Sequence, residues 1–231
     1  MCAKSNSVSI SAQETTRGWG YLFFELFLLP GLLSALNGLL AVPLSSAELN
    51  FLFYSINFIV ILIIFRKYLH ASAKAALRSF WTVLQAAIVG LVAYEVSNYL
   101  VTHAITHFFP GFSNVNDASI AAMTHSSFPL MAIGIIFLVP LVEEVLYRGL
   151  IFKRLCAASQ PAAYIVSITV FGAIHVMGYV GNYSAGTLAL CFVQYIPAGL
   201  WLAWTCRKAD NILASAAVHA AVNAIGLYIT R

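Results

Sequence analysis

The stretch Phe128–Arg148, FPLMAIGIIFLVPLVEEVLYR, decides how the rest of the chain is read. Phe128 to Tyr147 is apolar except for two adjacent acids, Glu143 and Glu144, and Arg148 follows directly. A helix rises about 1.5 Å per residue, so roughly 20 apolar residues cross a hydrocarbon layer ~30 Å thick. This run is therefore read as a membrane span that carries ionisable side chains. On insertion scales each such group costs roughly 2.5–3.5 kcal/mol near a span centre, so each one calls for a reason.

Outward from this run, similar segments recur at Tyr21 to Leu44, Asn50 to Phe65, Phe80 to Val101, Pro161 to Val180, Thr187 to Cys206 and Ile212 to Ile229. That makes about seven spans. The composition agrees: 61% of the 231 residues are hydrophobic and only 9% are charged, against about 25% in globular domains. A water-soluble domain is excluded, and no length remains for a separate soluble catalytic unit. Lipid offers the backbone no hydrogen-bonding partner, and long unbroken apolar runs do not alternate as barrel strands do. The fold expected is an all-α polytopic bundle, one integral membrane domain over residues 1–231. Thr102 to Ser127 could hide an eighth helix, and Arg66 to Ser79 could lie along the membrane surface as a basic amphipathic piece.

Positive loop charge prefers the cytoplasmic side. Lys4 and Arg17 precede the first run; Arg66, Lys67, Lys74 and Arg78 follow the second; Arg148, Lys153 and Arg154 follow the fourth; Arg207 and Lys208 follow the sixth. Eleven of twelve cations thus share one side, with Arg231 alone opposite, while Ser45 to Leu49, Thr102 to Ser127 and Gly181 to Gly186 have none. The amino terminus is expected in the cytoplasm and the carboxyl terminus outside. The net charge of +4 is scattered through short loops, which argues against a nucleic-acid partner. The first twenty residues lack the short apolar core and cleavage site of a secretory signal, so the first span is expected to persist. Cys2, Cys156, Cys191 and Cys206 show no CxxC spacing and read as small apolar thiols, not as a disulfide framework or metal site.

Other unusual groups in the spans are Glu25, Glu95, His175, His219 and Asn223. Adjacent helical residues point about 100° apart, so Glu143 and Glu144 cannot serve one neighbour. Glu144 and Arg148, four apart with the acid first, suit an intrahelical ion pair that leaves Glu143 available. Pairing of both acids with loop cations is the alternative. His175 follows Phe171 by one turn, beside the small Gly172 and Ala173. His219 and Asn223 share a face lined by Ala216, Ala217, Ala220, Ala221 and Ala224, which turns them into the bundle. Each could be a packing or interhelical polar group. Taken together, they could share a layer roughly 10–15 Å from the cytoplasmic face, in a pocket open to that side. A carboxylate, two imidazoles and a carboxamide are the equipment for activating water and stabilising an oxyanion.

These residues resemble three motifs of the CAAX-protease and bacteriocin-processing family of intramembrane proteases, also called the Abi family. The Glu pair with its Arg is matched by Glu143, Glu144 and Arg148, the Phe and His four apart by Phe171 and His175, and the His and Asn by His219 and Asn223. The likeness covers Phe128 to Ile229, the family's catalytic core (128–229). It implies hydrolysis of a peptide bond in a small membrane-associated peptide or protein, in a bacterial plasma membrane, with roles in bacteriocin immunity or peptide processing. Glu143 and His175 would activate water, and His219 and Asn223 would bind the oxyanion. Glu144, Arg148 and Phe171 would support them. No cofactor is expected. Zinc held by Glu143, His175 and His219 is the rival arrangement, although the compact HExxH helix is missing. A transporter or non-catalytic scaffold using the same buried groups is the alternative function, to which Glu25 and Glu95 lend themselves, although both read as structural.

Overall fold

A computed structural model describes residues 8–229. Within them ten helices follow one another: α1 (Ala12–Phe27), α2 (Leu29–Gly38), α3 (Ser46–Ile64), α4 (Arg66–Arg78), α5 (Phe80–Phe108), α6 (Val115–Ser126), α7 (Phe128–Ala158), α8 (Gln160–Met177), α9 (Ala185–Ala209) and α10 (Ile212–Ile229). Six are long and apolar enough to cross a membrane, and α1 with α2, bent by 46° at Leu28 ahead of Pro30, adds a seventh. The chain is a polytopic helical membrane bundle. Polar residues set the helix starts: Ser11 with Glu14, and Ser45 with Glu48, form capping boxes at α1 and α3.

Two expected boundaries change. The span begun at Phe128 continues past Tyr147 to Ala158, so Glu143 and Glu144 stand at mid-helix and not at its end. Positive charge at Arg148 does not end the helix, because Arg148 is buried and paired. The Thr102 to Ser127 segment holds no eighth span: α5 runs on to Phe108, and α6, with twelve residues, reaches only about 18 Å. Arg66 to Ser79 does fold as the separate basic helix α4. Of the cysteines, Cys191 and Cys206 are buried free thiols as expected. Cys156 instead takes part in a disulfide, a tertiary pairing that spacing along the chain does not reveal. Cys2, Lys4 and Arg231 lie outside the described residues.

Helix α7 is the axis of the bundle, in contact with α1, α3, α8, α9 and α10. Every residue from Glu144 to Phe152 is buried. It carries two π-helical stretches, Gly134–Leu138 and Glu144–Phe152. Around it Tyr21, Ile61, Phe65, Leu146, Leu150, Leu202 and Val218 make the main core.

The loops that carry Lys and Arg meet at one end. Lys153 pairs with Asp210 (3.0 Å) and donates to Val8 O, Arg154 donates to Thr15 Oγ1, and the Tyr68 amide donates to Glu14 Oε1. Asn211 Nδ2 ties the α9–α10 turn to Ser72 O of α4 (2.8 Å). The cation-free end is closed by α6, whose Asn114 donates to Gln194 in α9 (2.8 Å).

Close helix approach depends on glycine at Gly199, where an added Cβ would lie 2.6 Å from Ile168 Cα of α8. Backbone cannot yield as a side-chain tip can. Gly199→Ala is therefore expected to lower the melting temperature in detergent by several degrees, an overpacking cost of about 1–3 kcal/mol. Gly20→Ala, whose Cβ meets nothing within 4 Å, should leave it unchanged or raise it slightly. Equal stability of the two variants would show that α8 and α9 are not packed in this way.

Candidate active site

Glu144 is the fixed point of the site. Its Oε1 accepts from Arg148 Nη1 at 2.9 Å and from His219 Nδ1 at 3.2 Å, and both Glu144 and Arg148 are fully buried. Arg148 Nη2 reaches Ala198 O in α9 (3.3 Å), and its guanidinium lies 4.5 Å from the centre of the Phe171 ring. This flat contact gives the buried cation an electron-rich surface in place of water. The Phe171 ring also touches those of His175 and His219, at centroid distances of 4.6 and 5.7 Å. Thus Glu144, Arg148 and Phe171 join α7, α8, α9 and α10 and orient both imidazoles.

The tautomers follow from the partners. His175 Nδ1 lies 2.7 Å from Phe171 O, and a carbonyl only accepts, so Nδ1 carries the proton and Nε2 is free to accept. His219 Nδ1 faces the Arg148-paired carboxylate of Glu144 and likewise carries hydrogen. In the neutral ring its Nε2 is an acceptor too; it becomes a donor only as imidazolium.

Asn223 is held by a gap in the main-chain bonding of α7. Val139 N–H bonds Gly134 O in the first π-helical stretch, so the next carbonyl, Ile135 O, would take its bond from residue 140. That residue is proline and has no N–H. Asn223 Nδ2 fills the vacancy at 2.9 Å, pinning α10 to α7 and leaving one amide hydrogen for other work.

Glu143 projects elsewhere, as the 100° offset requires. It lines a cavity of about 700 Å³ together with His175, His219, Asn223, Glu25, Asp117, Tyr54 and Tyr195. The structure therefore brings Glu143, His175, His219 and Asn223 to one space, with Glu144, Arg148 and Phe171 behind it. The three residues of the zinc arrangement do not form a ligand set: among the described residues, no three His, Cys, Asp or Glu side chains are placed to hold a metal ion.

The cavity is also walled by Leu49 and Asn50 at the start of α3, by α6, and by Gly178 and Tyr179 after α8, all at the cation-free ends of the helices. The basic end is occupied by the polar ties between the amino-terminal segment, α4 and α7 described above.

Three participants were missed in the sequence. Tyr195, at the break in α9 before Pro197, stacks on His175 at 4.2 Å and donates its hydroxyl to Asp117 Oδ1 (2.8 Å). Asn116 Nδ2 donates to the Tyr195 oxygen (2.9 Å). Glu25, which the sequence also marks, lines the same cavity. A polar Asn-Val-Asn-Asp run in a cation-free loop and a proline inside an apolar span were the available signals.

No solved structure matches the chain. UPF0177 protein YxdF of Lactococcus lactis subsp. lactis (strain IL1403) is 27% identical over 154 residues, which cover 64% of this chain and 75% of that protein. Residues 125–225 match the family described as type II CAAX prenyl endopeptidase Rce1-like. All three motifs lie inside that match, so the part of the chain that carries Glu143, His175 and His219 is the part similar to the Rce1-like family of CAAX-type membrane proteases.

Proposed function

We propose that this protein hydrolyses a peptide bond of a membrane-associated peptide or small protein, with water activated by Glu143 and His175. The observation that carries this reading is a carboxylate oxygen, Glu143 Oε2, buried without a partner among the described residues, on the same cavity as the free edges of two oriented imidazoles. Glu144 also has an unpartnered oxygen, but it is fully buried, tied through Oε1 to Arg148 and His219, and does not line the cavity, which leaves Glu143 as the base.

Glu143 takes a proton from water as the oxygen attacks the scissile carbonyl, while His175 Nε2 accepts the water's second hydrogen and aligns it. The developing oxyanion receives the second amide hydrogen of Asn223 and the Nε2 hydrogen of a protonated His219, whose charge Glu144 supports. Glu143 then returns its proton to the leaving amine. No step requires a cofactor. The basic end faces the cytoplasm of a bacterial plasma membrane. Peptide processing and bacteriocin immunity are the biological settings that fit a protease whose site lies among membrane-spanning helices.

Glu143→Gln keeps size and removes the base. Its turnover is expected to fall by about a hundredfold or more, from loss of general-base catalysis, with an unchanged melting temperature. Wild-type turnover by this variant would end the proposal, and transport of a peptide without cleavage by the wild type would favour the transporter reading. Protein stripped with chelator, and verified metal-free by elemental analysis, is expected to cleave at the untreated rate. Loss of activity restored by zinc alone would overturn the cofactor-free mechanism.

A further inference from the structure

Apart from the two imidazoles and the tyrosines, the ionisable side chains that line the cavity are acids: Glu25, Asp117 and Glu143. No lysine or arginine among the described residues lines it. The nearby cation of the catalytic layer, Arg148, is enclosed by Glu144, Ala198 O and Phe171. Both imidazoles also line the cavity, and His175, oriented through Nδ1, offers its Nε2 as an acceptor. The fixed charges offered to an occupant are thus weighted toward carboxylates.

Glu25 is the telling member. It belongs to α1, outside the family match, and is only 7% exposed. Its Oε2 is buried without a hydrogen-bond partner among the described residues. The nearest hydroxyl along the helix, that of Tyr21 one turn earlier, is directed away to Asn57 Oδ1 (2.6 Å). A buried carboxylate left without donors is costly, and nothing in the packing of α1 requires one. Glu143 lines the same cavity, and two carboxylates that share one space repel each other when both are ionised. A group that brings both positive charge and several N–H donors would relieve the two deficits together. An ammonium or guanidinium does this, as a neutral side chain cannot.

We infer that Glu25 forms a recognition site for a cationic group of the substrate, a lysine or arginine side chain or a free amino terminus, placed beside the scissile bond. The inference rests on the proteolytic reading of the same cavity and makes Glu25 a specificity-determining residue. It selects peptides whose positive group enters the cavity ahead of the bond that reaches Glu143.

The test uses full-length protein in detergent and pairs of peptides that differ only by lysine against acetyl-lysine at one position, scanned across the cleavage site. At one position the wild type is expected to favour lysine by about tenfold or more in kcat/KM. In Glu25→Gln the ratio should collapse toward one, and in Glu25→Asp, which keeps the charge, it should survive in part. Melting temperatures confirm that each variant is folded. An absent preference in the wild type, or one undiminished in Glu25→Gln, overturns the inference. Binding of the same peptides to Glu143→Gln, with and without Glu25→Gln, separates the two readings. Selective binding lost with Glu25, in a wild-type protein that cleaves nothing, keeps the cation site and discards hydrolysis. Cleavage without charge selectivity does the reverse.

Discussion

The buried ion pair between Glu144 and Arg148 is the constraint on which the rest of the molecule turns. Two charges withdrawn fully from water are held only when their geometry and their remaining hydrogen-bonding capacity are met. Here neighbours on other helices supply much of it, His219 from α10, Ala198 O from α9 and the Phe171 face from α8, while Glu144 Oε2 and Arg148 Nε stay without a partner among the described residues. A local pair, four residues apart on one helix, thereby fixes the positions of three further helices. Its demand for enclosure explains why the π-helical stretch Glu144–Phe152 is buried on every side.

The same pair sets up the chemistry. Helical geometry turns Glu143 away from its neighbour, so occupation of Glu144 leaves one carboxylate facing the cavity. His219 cannot rotate without giving up Glu144, and His175 cannot without giving up Phe171 O. Both rings therefore present one defined edge. Pro140 contributes from the opposite direction, because its missing N–H opens Ile135 O to Asn223. Ion pair and proline together hold α7 and α10 at a fixed register around Glu143.

Much of this was legible along the chain because it depends on local spacing. The span count followed from apolar run lengths, and the Glu144–Arg148 pair followed from an i, i+4 interval. The shared face of His219 and Asn223 is of the same kind. What stayed hidden depends on tertiary approach. The end of α7 was misplaced because an arginine reads as a loop signal unless its buried partners are known. Glu25 had no motif and no partner in sequence, since its significance lies across the cavity, on a helix more than a hundred residues away. Tyr195 and Asp117 meet through a break in α9 that only Pro197 announces.

The central claim is that the ion pair positions the site as well as stabilising the fold, and a double-substitution cycle measures both. Arg148→Met alone should destabilise strongly, by about 3–5 kcal/mol, because it strands a buried carboxylate. Combining it with Glu144→Leu should recover much of the melting temperature, since well-packed apolar groups replace the charges. The doubly substituted, folded protein is nevertheless expected to cleave at no more than about a hundredth of the wild-type rate, because His219 has lost its anchor. A double variant that regains activity along with stability would contradict the account.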